Sequence, residues 1–221
     1  GANLILGSSV VGGAGGCIYQ GATPLFSTYP GSNTFLGQNI NVSAGAVQTV
    51  CMGTQAGAGM TSGQTSVIIG HQCCQTATAP AGSVCIGQGA ATSCGTGNVY
   101  IGQGCATQNT SANNVCIGFG CCANSVLGTN NIILGQNAGI NYNNAANSNI
   151  INLGHTGVAN EPNTIRIGQG QTGCYIAGIS GQTSTSGVAA LINASGKLGT
   201  TTSSQDLSKI YKHYRHQFQQ N

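Results

Sequence analysis

Eleven cysteines and four histidines are the residues of this chain with the richest chemistry. The cysteines are Cys17, Cys51, Cys73, Cys74, Cys85, Cys94, Cys105, Cys116, Cys121, Cys122 and Cys174. Thiols serve as nucleophiles, as ligands for soft metals, or as disulfide partners, and the first two uses need company. A nucleophilic cysteine needs a base, itself oriented by a third group. His71 stands beside Cys73-Cys74, but residues 1–160 contain no Asp, Glu, Lys or Arg, so the repeat holds no acid to orient it. Zinc sites favour C-x-x-C spacing, and adjacent cysteines on a strand are expected to face opposite ways. We therefore assign no catalytic residue, no metal ligand and no cofactor, and expect a protein that is not an enzyme. The remaining use is cross-linking, which suits a cysteine content typical of oxidising compartments.

The missing charge excludes more. Seven residues are charged: Glu161, Arg166, Lys197, Asp206, Lys209, Lys212 and Arg215. A 160-residue stretch without carboxylates holds no carboxylate dyad and no calcium cage. Without Lys or Arg it neutralises no phosphates, the source of nucleic-acid affinity. Clusters such as Val67-Ile68-Ile69 and Ile132-Ile133-Leu134 argue against disorder, and no apolar run reaches the roughly 20 residues that span a bilayer. No signal peptide is visible, and the start at Gly1 suits a processed form or a boundary chosen in cloning. Asn41-Val-Ser43, Asn109-Thr-Ser111 and Asn193-Ala-Ser195 match glycosylation sequons, which arise by chance in so Asn- and Ser-rich a chain.

What must position these residues is a repeat. An apolar triplet followed by glycine recurs at Leu4–Gly7, weakly at Ile18–Gly21, then at Thr34–Gly37, Val50–Gly53, Val67–Gly70, Val84–Gly87, Val99–Gly102, Val115–Gly118, Ile132–Gly135, Ile151–Gly154 and Ile165–Gly168. The glycines are 14 to 19 residues apart, with a mean of about 16. The triplet's outer positions are nearly always Val, Ile, Leu or Met, and its middle position is mixed. Such alternation is the pattern of a half-buried strand, so the outer residues are expected to point inward and the middle one outward. One period matches one coil of a parallel β-solenoid, or β-roll, with two short strands and two turns. Gly-x-Gly after the strand lacks the helix and acidic residue of a dinucleotide site, so it reads as structural. The fold class is all-β.

The unit Val-x-Ile-Gly-Gln-Gly, as at Val84–Gly89 and Val99–Gly104, resembles the head repeats of trimeric autotransporter adhesins. The segments Asn163–Gly168, Thr172–Gly181 and Asn193–Ser204 resemble a stretch of phage tail fibres and related surface proteins that precedes an intramolecular-chaperone autoprotease. The two likenesses together cover most of residues 30–204. They imply left-handed parallel β-rolls, homotrimeric assembly and a cell or virion surface. After Ser204 a short basic tail follows rather than a chaperone domain or a barrel anchor, so neither self-cleavage nor autotransport is carried over.

On the repeat, Cys51, Cys85 and Cys116 share the middle-of-strand column, expected to face outward. Cys85 and Cys116 are two coils apart, about 9.6 Å, beyond the reach of a bridge whose Cα atoms must lie within about 7 Å. Cys73, Cys105 and Cys121 lie three residues after the glycine. Cys105 and Cys121 occupy adjacent coils, which permits an intrachain disulfide, while Cys74 and Cys122 fall on the other face. Cys17, Cys94 and Cys174 belong to other columns. Eleven is odd, so intrachain pairing leaves a thiol over, and an outward cysteine at a subunit contact is placed to bond a neighbouring chain. Buried free thiols acting as small apolar residues are the alternative.

The organisation read from these patterns is an N-terminal segment (1–31) serving as docking strand or cap, β-roll repeats (32–181), a β-rich connecting segment (182–204) and a basic amphipathic tail (205–221). Leu4, Ile5 and Leu6 are candidate docking residues at one end. At the other, Leu207, Ile210, Tyr211, Tyr214 and Phe218 form a helical stripe suited to pairing in an oligomer. The expected partner is the chain itself, as a homotrimer and head-to-tail polymer, with a host or surface receptor as a further possibility. The expected function is a structural subunit of a disulfide-strengthened extracellular or cell-surface filament. A receptor-binding adhesin or viral tail fibre is the alternative.

Overall fold

A computed structural model of the chain describes residues 17–20, 23–29, 33–40, 45–179 and 185–200. The candidate docking residues Leu4, Ile5, Leu6, Leu207, Ile210, Tyr211, Tyr214 and Phe218 lie outside them. So does the side chain of Cys17, whose backbone belongs to a strand. The chain divides into two compact units, Gly1–Gln171 and Thr172–Asn221.

The first unit is an all-β parallel solenoid. The triplets form the strands β3 (Asn33–Leu36), β5 (Val50–Met52), β7 (Val67–Ile69), β8 (Val84–Ile86), β9 (Val99–Ile101), β10 (Val115–Ile117), β11 (Ile132–Leu134), β12 (Ile151–Leu153) and β13 (Ile165–Ile167). They stack in that order, each parallel to the next and in exact triplet register, as in Val84↔Val99 and Cys85↔Tyr100. Nine strands at about 4.8 Å give a stack about 38 Å long.

Two details differ from the expected coil. A second strand per coil was expected, yet the far side carries strands only at β4 (Gly45–Val47) and β6 (Ser62–Gln64), plus an isolated bridge from Val126 to Asn143, among the described residues. Elsewhere that side is a succession of turns, rich in residues with positive φ. The weak repeat at Ile18–Gly21 is also not a coil. Its strand β1 (Cys17–Gln20) pairs antiparallel with β2 (Thr23–Tyr29), which pairs antiparallel with β3. The chain thereby extends the first edge of its own sheet.

Each turn has a fixed chemistry. Two residues before each triplet stand Gln48, Thr65, Gly82, Gly97, Asn113, Asn130, Asn149 and Asn163, all with φ between 55° and 69°. Glycine and asparagine dominate because they tolerate this left-handed conformation best. The next residue is polar and buried in six of these turns, at Thr49, Ser66, Ser83, Asn98, Asn114 and Asn131. Asn98 Oδ1 accepts the Asn114 N–H at 2.8 Å, Asn114 Oδ1 accepts the Asn131 N–H at 3.0 Å, and Asn131 Oδ1 accepts the Ile150 N–H at 2.9 Å. Their amides donate to the carbonyls of Ser111, Gly128 and Asn147 across the coil. Asparagine therefore ties the sheet to the turns from within.

The second unit contains a hairpin of β14 (Ala190–Ile192) and β15 (Leu198–Thr200), closed by Asn193 Oδ1 accepting the N–H groups of Ser195 and Lys197. Every described residue from 172 to 200 is exposed, including Tyr175, Ile176, Val188, Ile192 and Leu198.

Candidate functional site

The expected orientation of the triplet is inverted. The middle residues Phe35, Cys51, Ile68, Cys85, Tyr100, Cys116, Ile133 and Asn152 are buried, and the outer residues are half-buried or exposed. The strand is only three residues long, so one side chain per coil enters the roll and two stay outside. Those two make a pair of parallel columns. One runs through Val50, Val67, Val84, Val99, Val115, Ile132, Ile151 and Ile165. The other runs through Leu36, Met52, Ile69, Ile86, Ile101, Ile117, Leu134, Leu153 and Ile167. The strip they form is about 38 Å by 10 Å, with no charged side chain directed outward on it. In projection this is about 400 Å², the size of the largest apolar patch on an ordinary monomer, and such patches mark contact surfaces.

Inside, the roll is too thin for large side chains on every wall, and bulk alternates with smallness. In the coil of Tyr100 the facing positions are Cys105, Ala106 and Asn109. In the coil of Ile133 they are Ala138, Gly139 and Tyr142. The column runs polar at its far end, where Asn152 donates to the Tyr142 hydroxyl at 3.1 Å and Arg166 holds Glu161 through two bonds of 2.5 and 2.6 Å. This ion pair closes the last rung, and with Glu161 it raises the Arg166 guanidinium above its ordinary range.

The cysteines follow the inverted geometry. Cys51, Cys85 and Cys116, expected to face outward, point into the core, so no interchain bond forms through them. Cys73, Cys74, Cys94, Cys105, Cys121 and Cys122 are buried as well, and Cys174 alone among the described cysteines is exposed. All ten are free thiols, including Cys105 and Cys121. The expectation that adjacent cysteines face apart also fails. Cys74 and Cys122 have φ of 51°, a left-handed turn conformation that swings their side chains to the same side as Cys73 and Cys121.

The result is two knots of sulfur. Cys74, Cys85 and Cys94 have their Sγ atoms within 4.8 Å of one another, and so do Cys116, Cys121 and Cys122. Cys85 and Cys94 are 3.6 Å apart, Cys121 and Cys122 3.8 Å. Burial pushes the isolated Cys51 thiol up to about 12, with Cys73 adding to the effect. Within the knots, hydrogen bonds from Cys74 and Cys85 lower Cys94, and those from Cys105, Cys116 and Cys122 lower Cys121. The donors Cys85 and Cys116 are raised, foremost by their bonds with Cys73 and Cys121. Cys73, bonded to Cys74 and Cys85, is lowered as well, so these thiols titrate as coupled sets rather than singly.

The other candidates separate. His71 is exposed while Cys73 and Cys74 are buried, so they make no nucleophile and base pair. The Asn109 sequon is closed to modification because that side chain is buried against Tyr100, whereas Asn193 is exposed and Asn41 falls outside the described residues. The second glycine of Gly-x-Gly, at Gly89, Gly104 and Gly120, has φ near 60° and turns the chain. Among the described residues no helix is long and apolar enough to cross a membrane.

No protein-family model matches the chain, and neither curated proteins nor solved structures give a match.

Proposed function

We propose that this chain is a structural subunit of an extracellular or cell-surface filament, in which homotrimeric β-rolls stack end to end. The observation that carries the reading is the outward strip of Val, Ile and Leu. Such a strip marks a contact surface, and a second and third copy presenting the same uncharged columns would cover it without any charge being desolvated. The second unit supports the same conclusion. An isolated hairpin is marginal in water, and here all its apolar side chains are exposed, which fits their burial against other copies. The absence of charge over residues 1–160 fits a rod that packs on itself and performs no catalysis. Among the described cysteines, disulfide reinforcement between chains narrows to Cys174, since the others are shut inside the roll.

The adhesin or tail-fibre reading rests on the sequence resemblance and on exposed aromatics. Tyr142 is buried, leaving Phe119 and Tyr175 among the described residues as surface rings for a receptor.

Sedimentation velocity and negative-stain microscopy of the whole chain test the proposal. A trimer that forms long uniform filaments is the expected result. Short discrete spikes select the adhesin reading, and a monomer at micromolar concentration overturns both. On a non-reducing gel, a dimer band removed by Cys174→Ser is expected.

A further inference from the structure

We propose that the two buried sulfur trios, Cys74–Cys85–Cys94 and Cys116–Cys121–Cys122, are binding sites for a soft monovalent metal ion, cuprous copper, one ion per trio. Packing alone does not require sulfur there. The turn columns of Cys74, Cys121 and Cys122 hold Ala56, Ala90, Ala91, Ala106 and Ala138 in other coils, and the strand column of Cys85 and Cys116 holds Phe35, Ile68, Tyr100 and Ile133, all buried. The cysteines instead concentrate where three columns meet, once around β8 and once around β10.

The geometry fits a three-coordinate ion. A metal–sulfur bond of about 2.3 Å in a trigonal plane sets the sulfurs about 4.0 Å apart. The observed 3.6 and 3.8 Å pairs, inside trios spanning at most 4.8 Å, reach this with small side-chain rotations. A disulfide requires about 2.05 Å, a larger closure, and uses only two of each three sulfurs. The donor set is entirely sulfur, which selects copper(I) among the common soft ions. Zinc wants a fourth ligand. Cys73 neighbours Cys74 and Cys85, and Cys105 neighbours Cys121, but among the described residues no fourth ligand atom lies within 4.8 Å of all three sulfurs of either trio, and full burial keeps water from supplying the ligand.

The test is anaerobic titration of the reduced full-length chain with copper(I) against a chromogenic copper(I) chelator. Two equivalents per chain, with ultraviolet thiolate-to-copper absorption, are expected. Cys94→Ala and Cys122→Ala each lose one equivalent, whereas Cys51→Ala and Cys174→Ala keep both. If the first two variants misfold, X-ray absorption on the unsubstituted chain decides, since a shell of sulfur alone supports the sites and one containing nitrogen or oxygen overturns them. Retention of less than one equivalent, or equal affinity for zinc, also overturns the proposal. So does a chain isolated 2 Da lighter per trio, which identifies a disulfide instead.

Discussion

Asn109 donates from Nδ2 to the Tyr100 hydroxyl at 2.7 Å, and both side chains are fully buried. The pair fills a whole coil: the ring spans the roll, and the amide nine residues on meets its tip. Burial pushes the Tyr100 phenol above its ordinary range, so it stays protonated. Tyr100→Phe keeps the ring and strands the Asn109 amide donor. We expect a loss of about 1–3 kcal/mol, the cost of an unsatisfied buried group. Tyr100→Phe with Asn109→Leu should recover part of it. Chemical-denaturation midpoints read both, and a Tyr100→Phe variant as stable as the parent refutes the role given to this bond.

Gly102 and Gly104 separate two reasons for glycine in one motif. A Cβ on Gly102 would lie 2.2 Å from the Gly118 carbonyl oxygen of the next coil, at a φ of 138°. Gly104 has φ 62° and nothing within 4 Å of a Cβ. Gly102→Ala forces neighbouring coils apart and should cost about 3 kcal/mol or more. Gly104→Ala meets only the left-handed penalty of about 1–2 kcal/mol. Thermal denaturation of the two variants should rank them in that order, and equal losses would show that coil spacing is not what Gly102 sets.

These glycines also mark what the sequence makes legible. The triplet, its glycine and the period specify which residues stack on which, because a column with no room for Cβ repeats visibly. The direction of the triplet was not legible in the same way. Alternation says that two sides differ, and the apolar side is read as the inside only when the outside meets water. Here Val99 and Ile101 are outside and apolar, so the mixed middle column, with Cys85, Tyr100 and Cys116, passed for surface. Its signal was compensation in bulk, large Tyr100 against small Ala106. The sulfur trios stayed hidden because they depend on the left-handed turns at Cys74 and Cys122. A non-glycine residue does not announce such a φ.

Alkali should unfold the roll early. Cys51 is raised to about 12 from 9.0, chiefly by burial. A raised acid leaves stability intact below the unfolded value and loses it as pH climbs toward the folded one, because the unfolded thiol ionises first. The window is therefore pH 9 to about 12, with a slope of about 1.4 kcal/mol per pH unit from Cys51 alone, and Tyr100 adds to it above pH 10. Denaturant midpoints should fall as pH rises from 9 toward 12. Cys51→Ala should soften the fall, and a flat profile to pH 12 contradicts the burial of these groups.

The apolar strip predicts how assembly responds to charge. Ile101 and Ile117 stand in the outward column, while Phe119, 56% exposed, sits off the strip just beyond β10. In a trimer joined through the strip, Ile101→Lys brings three ammonium groups together in a dry contact. Desolvation costs several kcal/mol per ion, so association should weaken more than about a hundredfold, equivalent to about 2.7 kcal/mol. Phe119→Lys places the same charge in solvent and should leave association unchanged. With no ion pair across the strip, raising the salt concentration should not dissociate the parent. Sedimentation of the three proteins at matched concentrations distinguishes the outcomes. Loss of the trimer in Phe119→Lys but not in Ile101→Lys would move the interface to another face of the roll.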